Sequence, residues 1–143
     1  MTERTAERLH SIALHLIRGL RRQDDELGVG PARLSALSVL LSGPKTMSEL
    51  AAAEQVRLPT MTRIVSGLAG LGLVRRLPHP TDRRSVRVEM TEAGAETIGR
   101  GRTLRVERLA RSLQALDEAE LARVEGALEV LERVTLEVLR GPR

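Results

Sequence analysis

The sequence predicts a mainly α-helical chain with one small β-hairpin, and three observations predict it. Apolar residues recur at three- and four-residue steps over most of the 143 residues. That rhythm lapses between Gly72 and Met90, where two short stretches separated by prolines and a polar run read as strands. Glycine, proline and capping residues punctuate the helical pattern at Gly28 to Pro31, Gly43 to Thr46, Gly72 and Thr91.

Taken in order, Leu9, Ile12, Ala13, Leu16, Ile17 and Leu20 place a long amphipathic helix over Glu3 to about Asp25. Gly28-Val29-Gly30 breaks it. Pro31 suits the first turn of the next helix, which runs through Leu34, Leu37, Leu40 and Leu41 to Ser42. Thr46-Met47-Ser48-Glu49 has the form of a capping box and opens a short helix to about Gln55. Arg57 then stands in a turn where an arginine and free N–H groups together suit a phosphate.

On the helix that follows, Met61, Ile64, Val65, Leu68 and Leu71 share one side. Pro59, Thr62, Arg63, Ser66 and Gly70 lie opposite, with Thr60 and Gly67 at the flank and no acid among them. A helix buried on one side and carrying short hydroxyls and an arginine on the other suits a major groove. Gly72 is a left-handed stop. Leu73 to Leu77 and Val86 to Met90 read as two strands, and Thr81-Asp82-Arg83-Arg84-Ser85 is the polar tip between them. Pro78 and Pro80 exclude helix there. Helix-turn-helix followed by a basic-tipped hairpin is a winged helix.

Charge supports a reading head. From Arg57 to Val88 there are seven arginines and one acid, Asp82, a balance of +6. The whole chain is +4, so the remainder carries −2. A basic patch confined to one segment of an otherwise acidic molecule is the electrostatic footprint of DNA binding.

Four submotifs in order carry a resemblance: Leu58-Pro59-Thr60-Met61-Thr62-Arg63, Leu71-Gly72-Leu73-Val74-Arg75-Arg76, Pro80-Thr81-Asp82-Arg83-Arg84 and Met90-Thr91-Glu92-Ala93-Gly94. Together they resemble the MarR family of bacterial regulators. The resemblance implies a homodimeric winged-helix protein, commonly a repressor released by a small aromatic or anionic ligand. It places Arg84 in a minor groove with Asp82 as its orienting partner, and Arg83 on phosphate. It also implies a ligand pocket where the first helix meets the reading head. His10, on the edge of that helix's apolar face, is the candidate there, although a lone histidine at such an edge is more often structural. The DNA-contact candidates are Arg57, Pro59, Thr60, Thr62, Arg63, Ser66, Asp82, Arg83 and Arg84. Gly67 and Gly70 depart from the long or charged residues usual in such recognition helices. The later turns then contribute little beyond close backbone approach.

Thr91 can cap a long helix from Glu92 to about Gln114. Gly94, Gly99 and Gly101 each cost it about 1 kcal/mol relative to alanine, so its first half should be the least rigid. Asp117-Glu118-Ala119-Glu120 opens a last helix with Leu121, Val124, Leu128, Leu131, Thr135 and Val138 on one stripe. Seven acids against two arginines between Asp117 and Leu139 make that helix unfit for DNA and suit it to a dimer or bundle. The chain thus reads as a single domain, 1–143. Residues 1–27 and 92–143 are dimerisation helices, and 31–91 form the winged helix-turn-helix. A two-fold dimer reads a pseudo-palindrome.

The chain has no Phe, Tyr, Trp or Cys. The core must be aliphatic, and disulfides, thiolate metal sites and thiol chemistry are excluded. Three scattered histidines have no metal-ligand spacing, and no cofactor motif occurs. No Ser/His/Asp order, phosphate-cradling loop or carboxylate pair argues for an enzyme. A charged N-terminus and the absence of an eighteen-residue apolar run predict a soluble, cytoplasmic protein with no membrane partner. The competing readings are a helical interaction module that keeps a winged helix without reading DNA, and an activator instead of a repressor.

Overall fold

The structure is a computed structural model that describes residues 1–141. It divides into two compact units, one from Met1 to Arg105 and one from Val106 onward. In the first, α1 (Thr2–Arg21) leads through a 3-10 segment, Arg22–Leu27, into α2 (Pro31–Val39). Then come β1 (Lys45–Thr46), α3 (Met47–Ala53), α4 (Leu58–Gly70), β2 (Val74–Pro78) and β3 (Val86–Met90). Helix α5 (Glu92–Leu113) runs on past the boundary, and α6 (Glu118–Arg140) lies in the second unit. The fold is mainly α with a small β wing.

Helix boundaries differ from the periodicity by a turn. Helix α1 ends at Arg21 instead of Asp25, because the chain tightens to 3-10 geometry until Gly28 closes it at φ 66. Helix α2 likewise passes into a 3-10 turn over Leu40–Ser42. The sheet has a third strand that the sequence did not announce. Two residues are too few to show a period, yet Lys45 pairs with Val88 and Thr46 with Arg87. The order is β1-β3-β2, antiparallel throughout, with Arg75 opposite Glu89 and Pro78 opposite Val86. Pro78 is tolerated because it closes an edge strand.

The core is aliphatic. Leu34 and Leu37 of α2, Leu50 of α3, Met61, Val65 and Leu68 of α4, and Val74 and Val88 of the sheet are all buried. Each such side chain removed from water contributes about 1.5–3 kcal/mol. The capping box opens α3: Glu49 N–H donates to Thr46 Oγ1 at 3.2 Å, and Thr46 N–H donates to Glu49 Oε2 at 2.7 Å. Leu71 departs from the wheel. It is 48% exposed, because α4 ends at Gly70 and the chain swings out through Gly72 at φ 72.

Thr91 fastens the wing to α5. Its hydroxyl donates to the Gly72 carbonyl at 2.6 Å and accepts from Gly94 N–H at 3.1 Å. The glycines of α5 then differ in kind. Gly94 and Gly101 are buried, against Leu73 and Leu27 respectively, while Gly99 faces open space. In the second unit, Asp117 and Glu120 form a capping box at the start of α6, with distances of 2.7 and 3.1 Å. No residue of α1 or of α6 is buried, among the described residues.

Candidate nucleic-acid interface

Helix α4 is held by its apolar side, and this decides what remains free. With Met61, Val65 and Leu68 sealed in the core, Thr60, Thr62, Arg63 and Ser66 are exposed on the opposite face. Arg57 is the N-cap and Pro59 stands in the first turn. No side chain caps the helix, so its first N–H groups are open to an outside acceptor. Thr62 uses its hydroxyl hydrogen on the Leu58 carbonyl at 2.9 Å, which leaves the oxygen as an acceptor.

Ser66 is engaged by a residue that sequence reasoning passed over. Arg76 of β2 donates from Nη2 to Ser66 Oγ at 2.9 Å, tying the wing to α4. The arginine count and one family submotif included Arg76, whereas its address on α4 follows from the register of β2. Arg75, its neighbour, is spent across the sheet on Glu89 at 2.6 Å. Arg87 donates to the Pro44 carbonyl at 3.3 Å. Within the segment from Arg57 to Val88, the uncommitted positive charge therefore lies at Arg57, Arg63, Arg83 and Arg84.

The wing tip closes on its own backbone. Asp82 Oδ1 accepts the Arg84 N–H at 2.9 Å, and the Asp82 carbonyl accepts the Ser85 N–H at 3.1 Å. His79 Nδ1 accepts the N–H of Asp82 at 3.1 Å and of Thr81 at 3.3 Å. Asp82 thus holds the main chain of Arg84 rather than its guanidinium. The one acid of the basic segment is consumed inside the loop, and Arg83 and Arg84 are left exposed.

Within the first unit, α1, α2 and α5 border an open-sided cavity of about 540 Å³. Ile17, Leu20, Leu34 and Ile98 supply apolar walls. Asp24 and Arg105 form an ion pair at its rim, and Ser35 donates to Glu54 at 3.0 Å. His10 is exposed on α1 and does not line this cavity. Among the described residues, no cluster of acids and histidines could hold a metal ion. No described helix is long and apolar enough to cross a membrane.

A helix-turn-helix with one free polar face, flanked by an arginine-tipped hairpin, defines a winged-helix protein. The chain belongs to the MarR family, whose model matches residues 37–86. It is similar to an HTH-type transcriptional regulator of Mycobacterium bovis, 41% identical over 118 residues that cover 82% of each chain. It is also similar to the HTH-type transcriptional repressor IacR of Pseudomonas putida, 34% identical over 63% of this chain and 54% of that one. Among solved structures, the transcriptional regulator Tm0710 of Thermotoga maritima superposes with a TM-score of 0.86. That match spans 98% of this chain and 99% of the other at 23% identity, a likeness of fold.

Proposed function

We propose that this protein is a DNA-binding transcriptional regulator, a repressor that binds a pseudo-palindromic operator as a homodimer. The observation that carries the reading is the segregation of free arginines. Arg57 and Arg63 of α4 and Arg83 and Arg84 of the wing are exposed, while the single acid among them is turned inward on Arg84 N–H. On this reading, Thr60, Thr62 and Arg63 meet base edges, with Pro59 setting the helix start and Ser66 beside them. Arg84 enters a minor groove, and Arg57 and Arg83 hold phosphates. Family membership supports regulation, and the repressor among the relatives supports its sign.

The dimer is supported by apolar surface. Ile12 (52% exposed), Leu16 and Ile17 on α1 and Leu128 (50%) and Leu131 on α6 would leave contiguous apolar stripes in water. Pairing with a second copy covers them. Residues 1–27 and 92–143 then serve dimerisation, and 31–91 serve DNA. A cavity of about 540 Å³ suits a small effector, and its charged lining balances Arg21 and Arg105 with Asp24 and Glu54. With no aromatic residue in the chain, such an effector packs against aliphatic walls.

The test is fluorescence anisotropy on DNA selected by the protein from a randomised pool, across a salt series, for wild type and Arg84→Ala. The reading expects a two-fold symmetric site, a steep negative slope of log K against log salt, and weaker binding by the variant with its dimer intact. A wild type with no preference among duplexes, and an Arg84→Ala variant equal to it, would move the protein to the interaction-module reading.

A further inference from the structure

Arg33 sits in the first turn of α2, where it is half-buried. The cavity takes Pro31, Ala32, Leu34, Ser35 and Ser38 of that helix. Arg33 points the other way, toward α4. Its guanidinium lies across the bare backbone of Gly67. A β-carbon at Gly67 would stand 2.5 Å from Arg33 Nε, 2.6 Å from Nη2 and 2.7 Å from Cζ. Gly67 is therefore a seat for an arginine brought from another helix. It lies one turn beyond Arg63 and two turns beyond Thr60, on the flank of the face offered to DNA.

Electrostatics sets this arginine apart. A cation in the first turn of a helix meets the positive end of the helix dipole, and the first turn of α2 holds no acid to offset it. Among the described residues Arg33 makes no ion pair. Among the described residues such an arginine has no anion paired with it, and its guanidinium lies beside the reading helix. The geometry points to Arg33 as a further DNA-binding residue, a phosphate clamp carried by α2 and seated on Gly67. This rests on the DNA-binding reading above. Phosphate is the expected partner, because the N-terminal residues of a recognition helix contact base edges while positively charged groups beside it meet the backbone.

The experiment measures binding of a selected duplex and of an unrelated duplex of equal length across a salt series, with thermal melts alongside. Arg33→Ala should weaken both duplexes by the same factor, about tenfold. It should also flatten the salt slope by about 0.9 for each arginine removed, hence by about 1.8 in a two-fold dimer. Arg33→Lys, which keeps the charge, should recover most of the slope. Gly67→Ala, which pushes the guanidinium from its seat, should weaken binding in the wild-type background and add nothing to Arg33→Ala. If Arg33→Ala lowers the melting temperature yet keeps the wild-type slope, while Arg84→Ala still loses affinity, Arg33 only packs α2 on α4 and the inference fails alone. If the wild type binds neither duplex, the DNA-binding reading fails with it.

Discussion

The carbonyl oxygen of Leu73 occupies the place that a β-carbon on Gly94 would need. The first turn of α5 is thereby pressed against the turn between α4 and β2, and Thr91 pins both with hydrogen bonds to Gly72 and Gly94. Gly94→Ala should accordingly lower stability by about 1–3 kcal/mol through overpacking against backbone, which cannot move aside as a side chain can. Gly99→Ala on the same helix meets open space and should raise stability by up to about 1 kcal/mol. Chemical denaturation of the two variants checks both signs. Equal behaviour would show that α5 does not sit on the α4–β2 turn this way.

Arg84→Ala should cost about 1–3 kcal/mol of binding to the selected site, read as a drop in affinity by anisotropy. Asp82→Ala should lower affinity by a different route, since the carboxylate that fixes the Arg84 main chain is lost while the guanidinium remains. The distinguishing quantity is the salt slope, which should fall for Arg84→Ala and stay near the wild-type value for Asp82→Ala.

The capping box on α3 makes a pH prediction. Hydrogen bonds from Thr46, first from its backbone and then its side chain, hold the Glu49 carboxyl below the usual glutamate range. A carboxyl lowered in the folded state stabilises the protein above its unfolded pKa, and that contribution disappears as pH falls through the folded value. Wild type should therefore lose α3 stability on acidification below the ordinary glutamate range of about 4.3. Glu49→Gln should show a flatter acid profile in thermal melts. Thr46→Ala should flatten it too, by removing a hydroxyl that the carboxylate relies on.

Asp24 and Arg105 join the 3-10 segment after α1 to α5 at the cavity rim, with side chains 14% and 33% exposed. Exposed pairs contribute about 0–1 kcal/mol, and breaking a buried pair costs about 3–5 kcal/mol. Asp24→Asn should fall between, at about 1–2 kcal/mol. A double-mutant cycle with Arg105→Gln measures the coupling. A cycle that sums to zero would mean the pair contributes nothing across this cavity.

If the proposed dimer pairs through the α6 stripe, Leu128→Glu with Leu131→Glu should yield monomers in sedimentation, with helix content retained. Because operator binding joins two half-sites, DNA affinity should collapse in the same variant. An unchanged sedimentation coefficient would remove the α6 stripe from the dimer interface.

Much was legible from the residues because much is local. The α4 face follows from spacing at Met61, Val65 and Leu68, and the helix starts follow from Thr46, Thr91 and Asp117, whose side chains bond within three residues. The left-handed turn at Gly72 and the basic tip at Arg83 and Arg84 are likewise written in adjacent positions. These features depend on backbone sterics and short-range hydrogen bonds, so sequence alone determines them.

Only the tertiary structure could decide who meets whom across long separations. Lys45 and Thr46 became a strand because β3 offered an unpaired edge, not because two residues carry a period. Arg76 found Ser66, and Arg105 found Asp24, through packing that brings distant segments together. Gly94 read as a weak point in its helix and Gly67 as a bare stretch of backbone, until Leu73 and Arg33 were seen in the space that their missing side chains leave. Periodicity reports which way a residue faces. What stands opposite is settled by how the helices pack.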